Sequence, residues 1–135
     1  MNRKQIVMEY RTSGMLKGHR PCVVYLKQNN GNIYTKGTAD FIMSIGKEYL
    51  YFQRLSMFTK RLLPNKDFAV HLPRIKSYHI RIQNPVVQCL TLYTFEKFYI
   101  EIYYYIKTSD TYETETNIAY ILKMLEERGV KELSL

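Results

Sequence analysis

The clearest pattern in the chain lies between residues 86 and 106. Phe98, Ile100, Ile102, Tyr104 and Ile106 fall on one face of an extended segment. Tyr99, Glu101, Tyr103 and Tyr105 fall on the other. A period of two in β-branched and aromatic residues predicts a strand. Together with the apolar run from Val86, the stretch predicts a pair of long strands joined by a tight turn, with Leu90, Leu92, Ile100 and Ile102 turned to the core.

Shorter alternating segments precede this hairpin. Cys22 to Lys27 reads as a strand, and Asn29-Asn30-Gly31-Asn32 as a turn of the type that accepts positive φ, with a return strand over Ile33 to Lys36. Thr38 to Ile45 places Phe41, Met43 and Ile45 on one face and Asp40, Ile42 and Ser44 on the other. Gly46-Lys47 makes a turn into Glu48 to Leu55. Phe68 to His71 and Ile75 to Ile82 follow, the latter with Tyr78, Ile80 and Ile82 on one face; Pro73 and Asn84-Pro85 punctuate them. Near the end the period changes. Ile118, Ile121, Leu122 and Leu125 form one helical face, with Thr111 or Thr114 placed to cap its start and Gly129 its end.

The N-terminal segment fits neither period cleanly. Ile6, Met8 and Tyr10 alternate, while Ile6, Val7 and Tyr10 share a helical face. Read against Ser13-Gly14 and Gly18, it is expected to be an irregular or short extended lead-in. The chain then reads as a single domain over residues 1–135: lead-in 1–19, antiparallel β 20–107, capping helix 111–128 and tail 129–135. The fold class is mainly β, with about seven antiparallel strands in a partly open barrel or two packed sheets, and one C-terminal amphipathic helix burying its apolar face against them.

Composition sharpens this picture in two ways. Thirteen tyrosines, no tryptophan and few alanines favour strand over helix. The net charge is +8, unevenly spread: residues 1–81 carry +11 and residues 82–135 carry −3. An asymmetric basic chain suits an anionic partner, namely nucleic acid, a membrane surface or an acidic protein, or else simply presents a solvated basic face. Cys22 and Cys89 lie in apolar strand patterns and read as buried thiols, although spacing alone leaves a disulfide open. With no signal peptide and no membrane-spanning run in view, the expected location is the cytoplasm, with peripheral membrane contact as an option.

No motif points to catalysis, a metal or a cofactor. His19, His71 and His79 are not paired with cysteines or carboxylates at ligand spacing, and His79 reads as a surface residue. No nucleophile-elbow glycines surround Ser44, Ser56 or Ser77, and no phosphate-binding glycine loop is present. The chemistry-bearing candidates are two surfaces. In the segment 58–66, Phe58, Leu62 and Leu63 alternate with Lys60, Arg61 and Lys66; this suits an anionic membrane interface, or a plug for one end of the barrel. Tyr99, Tyr103 and Tyr105 suit a protein interface or self-association, unless they are covered.

Three stretches carry a family resemblance. Phe41 to Phe52 resembles a hairpin with an apolar strand, a Gly turn and a Leu-x-Phe strand. Phe68 to Tyr78 resembles a short strand followed by a Leu-Pro step and an Ile. The 86–106 hairpin followed by Asn117 to Leu125 resembles two last strands and a capping helix. Together, over roughly residues 20–128, they resemble the bacterial pleckstrin-homology-like families, including the GRAM-type domains. The resemblance implies a partly open barrel and a binding or scaffold role. It does not carry an inositide site, because Gln28 to Asn32 lacks the clustered Lys/Arg that the first loop of lipid-binding members holds. The functional expectation is a non-enzymatic binding domain contacting protein partners or an anionic membrane. The alternative is a basic nucleic-acid-binding protein from a mobile element, and behind both stands an enzyme assembled from scattered residues.

Overall fold

Alternation becomes pairing in the computed structural model, which describes residues 2–27, 38–107 and 113–134. The strands are β1 (His19–Lys27), β2 (Thr38–Ile45), β3 (Tyr49–Arg54), β4 (Phe68–His71), β5 (Ile75–Asn84), β6 (Val87–Thr94), β7 (Tyr99–Tyr105) and β8 (Lys131–Glu132). They form one sheet in the order β4-β3-β2-β1-β7-β6-β5-β8. Neighbours are antiparallel except β5 and β8, which run parallel. The mainly β architecture with a C-terminal helix is as expected, and the sheet is open, with β4 and β8 at its edges. The predicted turn at 29–32 and return strand over 33–36 lie outside the described residues. Among the described residues β1 pairs with β2, in register from Lys27 opposite Thr38, and with β7 on its other side.

The β6–β7 hairpin holds the position its pattern predicts. Its register runs from Val87 opposite Tyr105 to Tyr93 opposite Tyr99, and Lys97 takes the left-handed conformation (φ 68°) that closes the turn. Leu90, Leu92, Ile100 and Ile102 are fully buried. They join Cys22, Val24, Phe41, Met43, Leu50 and Phe52 in the main core. Phe52 stacks on Phe68 at 4.6 Å, and Phe41 meets both edge-on. Such aromatic pairs contribute about 0.5–1.5 kcal/mol each beyond the area they bury.

The C-terminal helix α2 spans Thr114–Glu127 and adds Ile118, Ile121 and Leu125 to this core. It begins later than the expected position 111, which lies outside the described residues. Its end is built by the glycine that the sequence marks. Gly129 (φ 90°) donates to the Glu126 carbonyl at 3.0 Å, and Val130 donates to that of Leu125 at 3.0 Å. That is the Schellman pattern, and Val130 and Leu125 make its accompanying apolar contact in the core.

Two expectations about the termini are corrected. The lead-in is a helix, α1 (Arg3–Thr12), rather than irregular or extended chain. Its start is a capping box: the Gln5 amide donates to Asn2 Oδ1 at 2.9 Å, and the Asn2 amide donates to Gln5 Oε1 at 3.0 Å. The helical face wins over the alternation because it has something to cover. Ile42, on the outer side of β2, packs with Ile6 and Leu55, and Tyr10, Leu16, Val23 and Leu62 surround them. Met8, the middle member of the alternation, is exposed. The tail is also ordered. Val130 is buried, β8 pairs with β5, and the Leu133 amide donates to the Tyr78 carbonyl at 2.7 Å. This return covers His79, which is half-buried rather than a surface residue. Its Nδ1 lies 3.2 Å from the Leu133 carbonyl oxygen, which can only accept, so that nitrogen carries the proton.

The cysteines are free and buried on opposite sides of the sheet. Cys22 is in the main core, and Cys89 belongs to an outer cluster with Val87 and Tyr103. Burial pushes the Cys22 thiol up to about 12. Among the described residues, no helix is long and apolar enough to cross a membrane.

Candidate functional site

The segment after β3 is a small protrusion with a rigid stem. Leu55 and Leu62 form a single antiparallel bridge. The Ser56 amide donates to the Arg61 carbonyl at 2.8 Å, and the Leu63 amide to that of Arg54 at 2.9 Å. Lys60 turns the chain with φ 56°. The stem is also bolted to α1: the Tyr10 hydroxyl donates to the Lys60 carbonyl at 2.7 Å. Ser56 and Thr59 hydroxyls bond to each other across the tip.

This geometry divides the six residues that the sequence groups together. Leu62 packs beneath α1 and acts as the plug, while Leu63 is half-buried. Lys60 is held by Asp40, Nζ to Oδ2 at 2.9 Å, so much of its charge is answered locally. Phe58 is 91% exposed and Arg61 and Lys66 are exposed as well. Met57, which the sequence reading leaves out, is 65% exposed beside Phe58. The tip is therefore an apolar pair, Met57 and Phe58, with Arg61 and Lys66 near the base. Lys66 closes a short 3-10 turn (Pro64–Lys66), and behind it Asp67 accepts from the Arg54 amide at 2.7 Å.

The three tyrosines do not form one outward face. Tyr103 is only 6% exposed. It stacks on Tyr25 at 5.1 Å, and Lys27 Nζ lies 4.7 Å from its ring centre. Arg81 donates to Glu101 Oε2 at 2.7 Å and to the Tyr103 hydroxyl oxygen at 3.1 Å, and that hydroxyl donates to Glu101 at 3.1 Å. Burial raises the Tyr103 phenol to about 12. Tyr105 lies under the Arg3 guanidinium, 4.0 Å from its ring centre. Tyr99 faces Tyr93 across the hairpin at 6.3 Å. The basic residues that the sequence places far from β7 reach these rings through β1, β5 and α1.

Two cavities flank α1. One, of about 310 Å³, lies between the helix and the outer face of β1 and β2, and Arg3, Tyr25, Asp40, Lys60 and Tyr105 line it. It joins Tyr105 to Lys60, two candidates 45 positions apart by number. The other, of about 390 Å³, lies where α1 ends and α2 begins. Arg11, His19, Arg20, Glu113 and Asn117 line it. None of these stands out in the linear pattern, because they come from three separate segments.

The fold thus defines a mainly β domain with a helix on each side of one open sheet. No family model and no curated protein matches the chain. A solved structure, the hSac2 domain from human phosphoinositide phosphatase Sac2, is similar over 97% of this chain and 88% of that one, with a TM-score of 0.55 and 13% identity. At that identity the likeness concerns the fold alone. The resemblance to the bacterial pleckstrin-homology-like and GRAM-type families is corrected: no family match supports it, and the structural likeness is to the hSac2 domain. The apolar strand positions behind that resemblance are general to antiparallel sheets and do not single out a family.

Proposed function

We propose that the chain is a non-enzymatic domain that binds peripherally to an anionic membrane surface through the protrusion after β3. The observation that carries this reading is the pair Met57 and Phe58, held out in solvent on a stem fixed by Leu55, Leu62 and Tyr10. Exposed large apolar side chains rimmed by cations suit an interfacial anchor. The net charge of +8 supports attraction to an anionic surface, and the similar hSac2 domain comes from a phosphoinositide phosphatase, which supports the same class of partner.

The magnitudes are those of reversible binding. Arg61 and Lys66 add about 1 kcal/mol each near an anionic leaflet. Burying Phe58 adds about 1.5–3 kcal/mol. The total of about 4 kcal/mol corresponds to roughly a thousandfold preference. Co-sedimentation of the full chain with phosphatidylserine vesicles and with neutral phosphatidylcholine vesicles tests it. Selective recovery with the anionic vesicles, reduced at high salt, is expected; equal recovery with both sinks the reading. The nucleic-acid alternative, which rests on the charge and the Tyr-rich strands, is weakened on the second count, because Tyr103 is stacked inside the protein and offers no face to a base.

A further inference from the structure

The second cavity has features that the membrane reading does not use. Its wall includes Asn117, which is only 1% exposed. The Asn117 Nδ2 donates to the Pro21 carbonyl at 2.9 Å, which fixes the amide's orientation, since that carbonyl can only accept. Its Oδ1 is then left buried with no hydrogen-bond partner among the described residues. A buried acceptor without a donor is unfavourable, and its presence in a cavity wall calls for a donor from a ligand.

The rest of the wall is set for an anion. Arg11 and Arg20 both line it. Arg20 is laid over the Tyr120 ring at 4.3 Å, and His19 meets the same ring edge-on at 5.8 Å, so that Tyr120 steadies both. The 14-residue helix α2 begins here, with Glu113 at its N-cap and no side-chain cap on its first amides among the described residues. Those amides and the helix dipole favour negative charge. Gly18 gives the floor its closeness: a Cβ there would stand 2.7 Å from the Ile45 carbonyl oxygen. Among the described residues, the one lining carboxylate, Glu113, opposes a bare dianion but accepts readily from a hydroxyl.

We propose that this cavity binds a phosphorylated polyol. The phosphate sits between Arg11, Arg20 and the first amides of α2, and ligand hydroxyls donate to Asn117 Oδ1 and Glu113. A volume of about 390 Å³ falls within the range of small-ligand sites, about 300–1,000 Å³. The phosphate can belong to a soluble sugar phosphate or to a lipid headgroup, since both present the same groups. The site is separate from the tip at 57–58, and its ligand does not depend on the membrane reading.

Titration of the full chain, followed by calorimetry and amide NMR shifts, tests this with glucose 6-phosphate and myo-inositol 1-phosphate against glucose and inorganic phosphate. At least one polyol phosphate is expected to bind at least tenfold more tightly than inorganic phosphate, shifting amides at 18–20 and 114–117, with no binding of glucose. Arg11→Gln and Arg20→Gln are expected to weaken it at least tenfold while remaining folded, as read from their amide spectra. Asn117→Ala is expected to remove the preference over inorganic phosphate. Failure of both polyol phosphates at millimolar concentration, equal affinity for inorganic phosphate, or unchanged binding in the two arginine variants overturns the proposal. A Phe58→Ser chain separates the two readings: it is expected to leave vesicles and still bind the soluble ligand. Release of the parent from phosphatidylinositol 4-phosphate vesicles by soluble inositol 1-phosphate assigns the lipid source; retention with undiminished soluble binding assigns the soluble one.

Discussion

Phe58→Ser removes a side chain that touches almost nothing in the protein. At 91% exposure, the ring contributes little to folding, and surface changes of this kind stay within about 0.5 kcal/mol. The stem's contacts are independent of it: Leu55 with Leu62, Tyr10 with the Lys60 carbonyl, and Lys60 with Asp40. On an anionic bilayer the same change forfeits the burial of the ring, about 1.5–3 kcal/mol. That converts to roughly a 10- to 150-fold loss in partitioning. The assay is the mole-fraction partition coefficient onto phosphatidylserine vesicles, read alongside a urea melt. Leu62→Ser is the informative contrast. Leu62 packs with Ile6, Ile42 and Leu55, so its loss is expected to lower stability by about 1–3 kcal/mol and to affect partitioning only through the fold. If Phe58→Ser partitions as the parent does, or if it lowers the melting midpoint as Leu62→Ser should, the division of the loop into tip and plug is wrong.

Other expectations concern the scaffold. Tyr10→Phe deletes the hydroxyl that holds the Lys60 carbonyl at 2.7 Å and is expected to cost about 1 kcal/mol in a denaturant melt, with amide shifts confined to α1 and residues 56–62. Gly18→Ala drives a methyl to 2.7 Å from a backbone oxygen that β2 holds in place, so a loss of about 1–3 kcal/mol is expected by thermal melt. Stability is expected to fall as pH rises from about 10 to about 12: an unfolded tyrosine gives up its proton near 10, whereas buried Tyr103 keeps its own until about 12. The folded chain therefore holds more protons in that window, so each step up in pH favours unfolding. Urea midpoints at pH 9 and 11 check this, and Tyr103→Phe should reduce the difference without abolishing it, because burial also raises Tyr78, Tyr104 and Cys22. The Cys22 thiol, also raised to about 12 by burial, should resist alkylation at pH 8 until urea opens the core.

Local pattern was a good guide where one face of an element met one core. The β6–β7 hairpin and α2 follow their periods because Leu90, Leu92, Ile100, Ile102, Ile118, Ile121 and Leu125 all face the same cluster. It was a poor guide where a strand is covered on both sides. Ile42 sits in the polar half of the β2 alternation, and that displaced apolar residue was the available sign of a second layer. Paired with Ile6, Val7 and Tyr10, it argues for a helix lying on the outer face. The parallel return of β8 had no local signal at all, since Lys131 and Glu132 are both exposed and the chain is anchored by buried Val130 and by the Leu133 backbone, whose partners Tyr78 and His79 lie over fifty positions away.

The site was less legible than the fold, because charge and exposure are decided by residues far away in sequence. Lys60 reads as one of three equivalent cations until Asp40, twenty positions earlier, answers it. Tyr103 reads as an exposed aromatic until Tyr25 stacks on it and Arg81 and Glu101 bind its hydroxyl. In each case a charged or polar partner is brought in by strand order, as when β1 is inserted between β2 and β7. The cavity at Asn117 is the extreme form of this effect: its wall joins α1, the segment leading into β1, β1 itself and the start of α2. Tyr10 and Arg11, adjacent on α1, serve the protrusion and this cavity respectively. The helix that the sequence presents as a mere lead-in is thus the element through which both candidate surfaces are positioned.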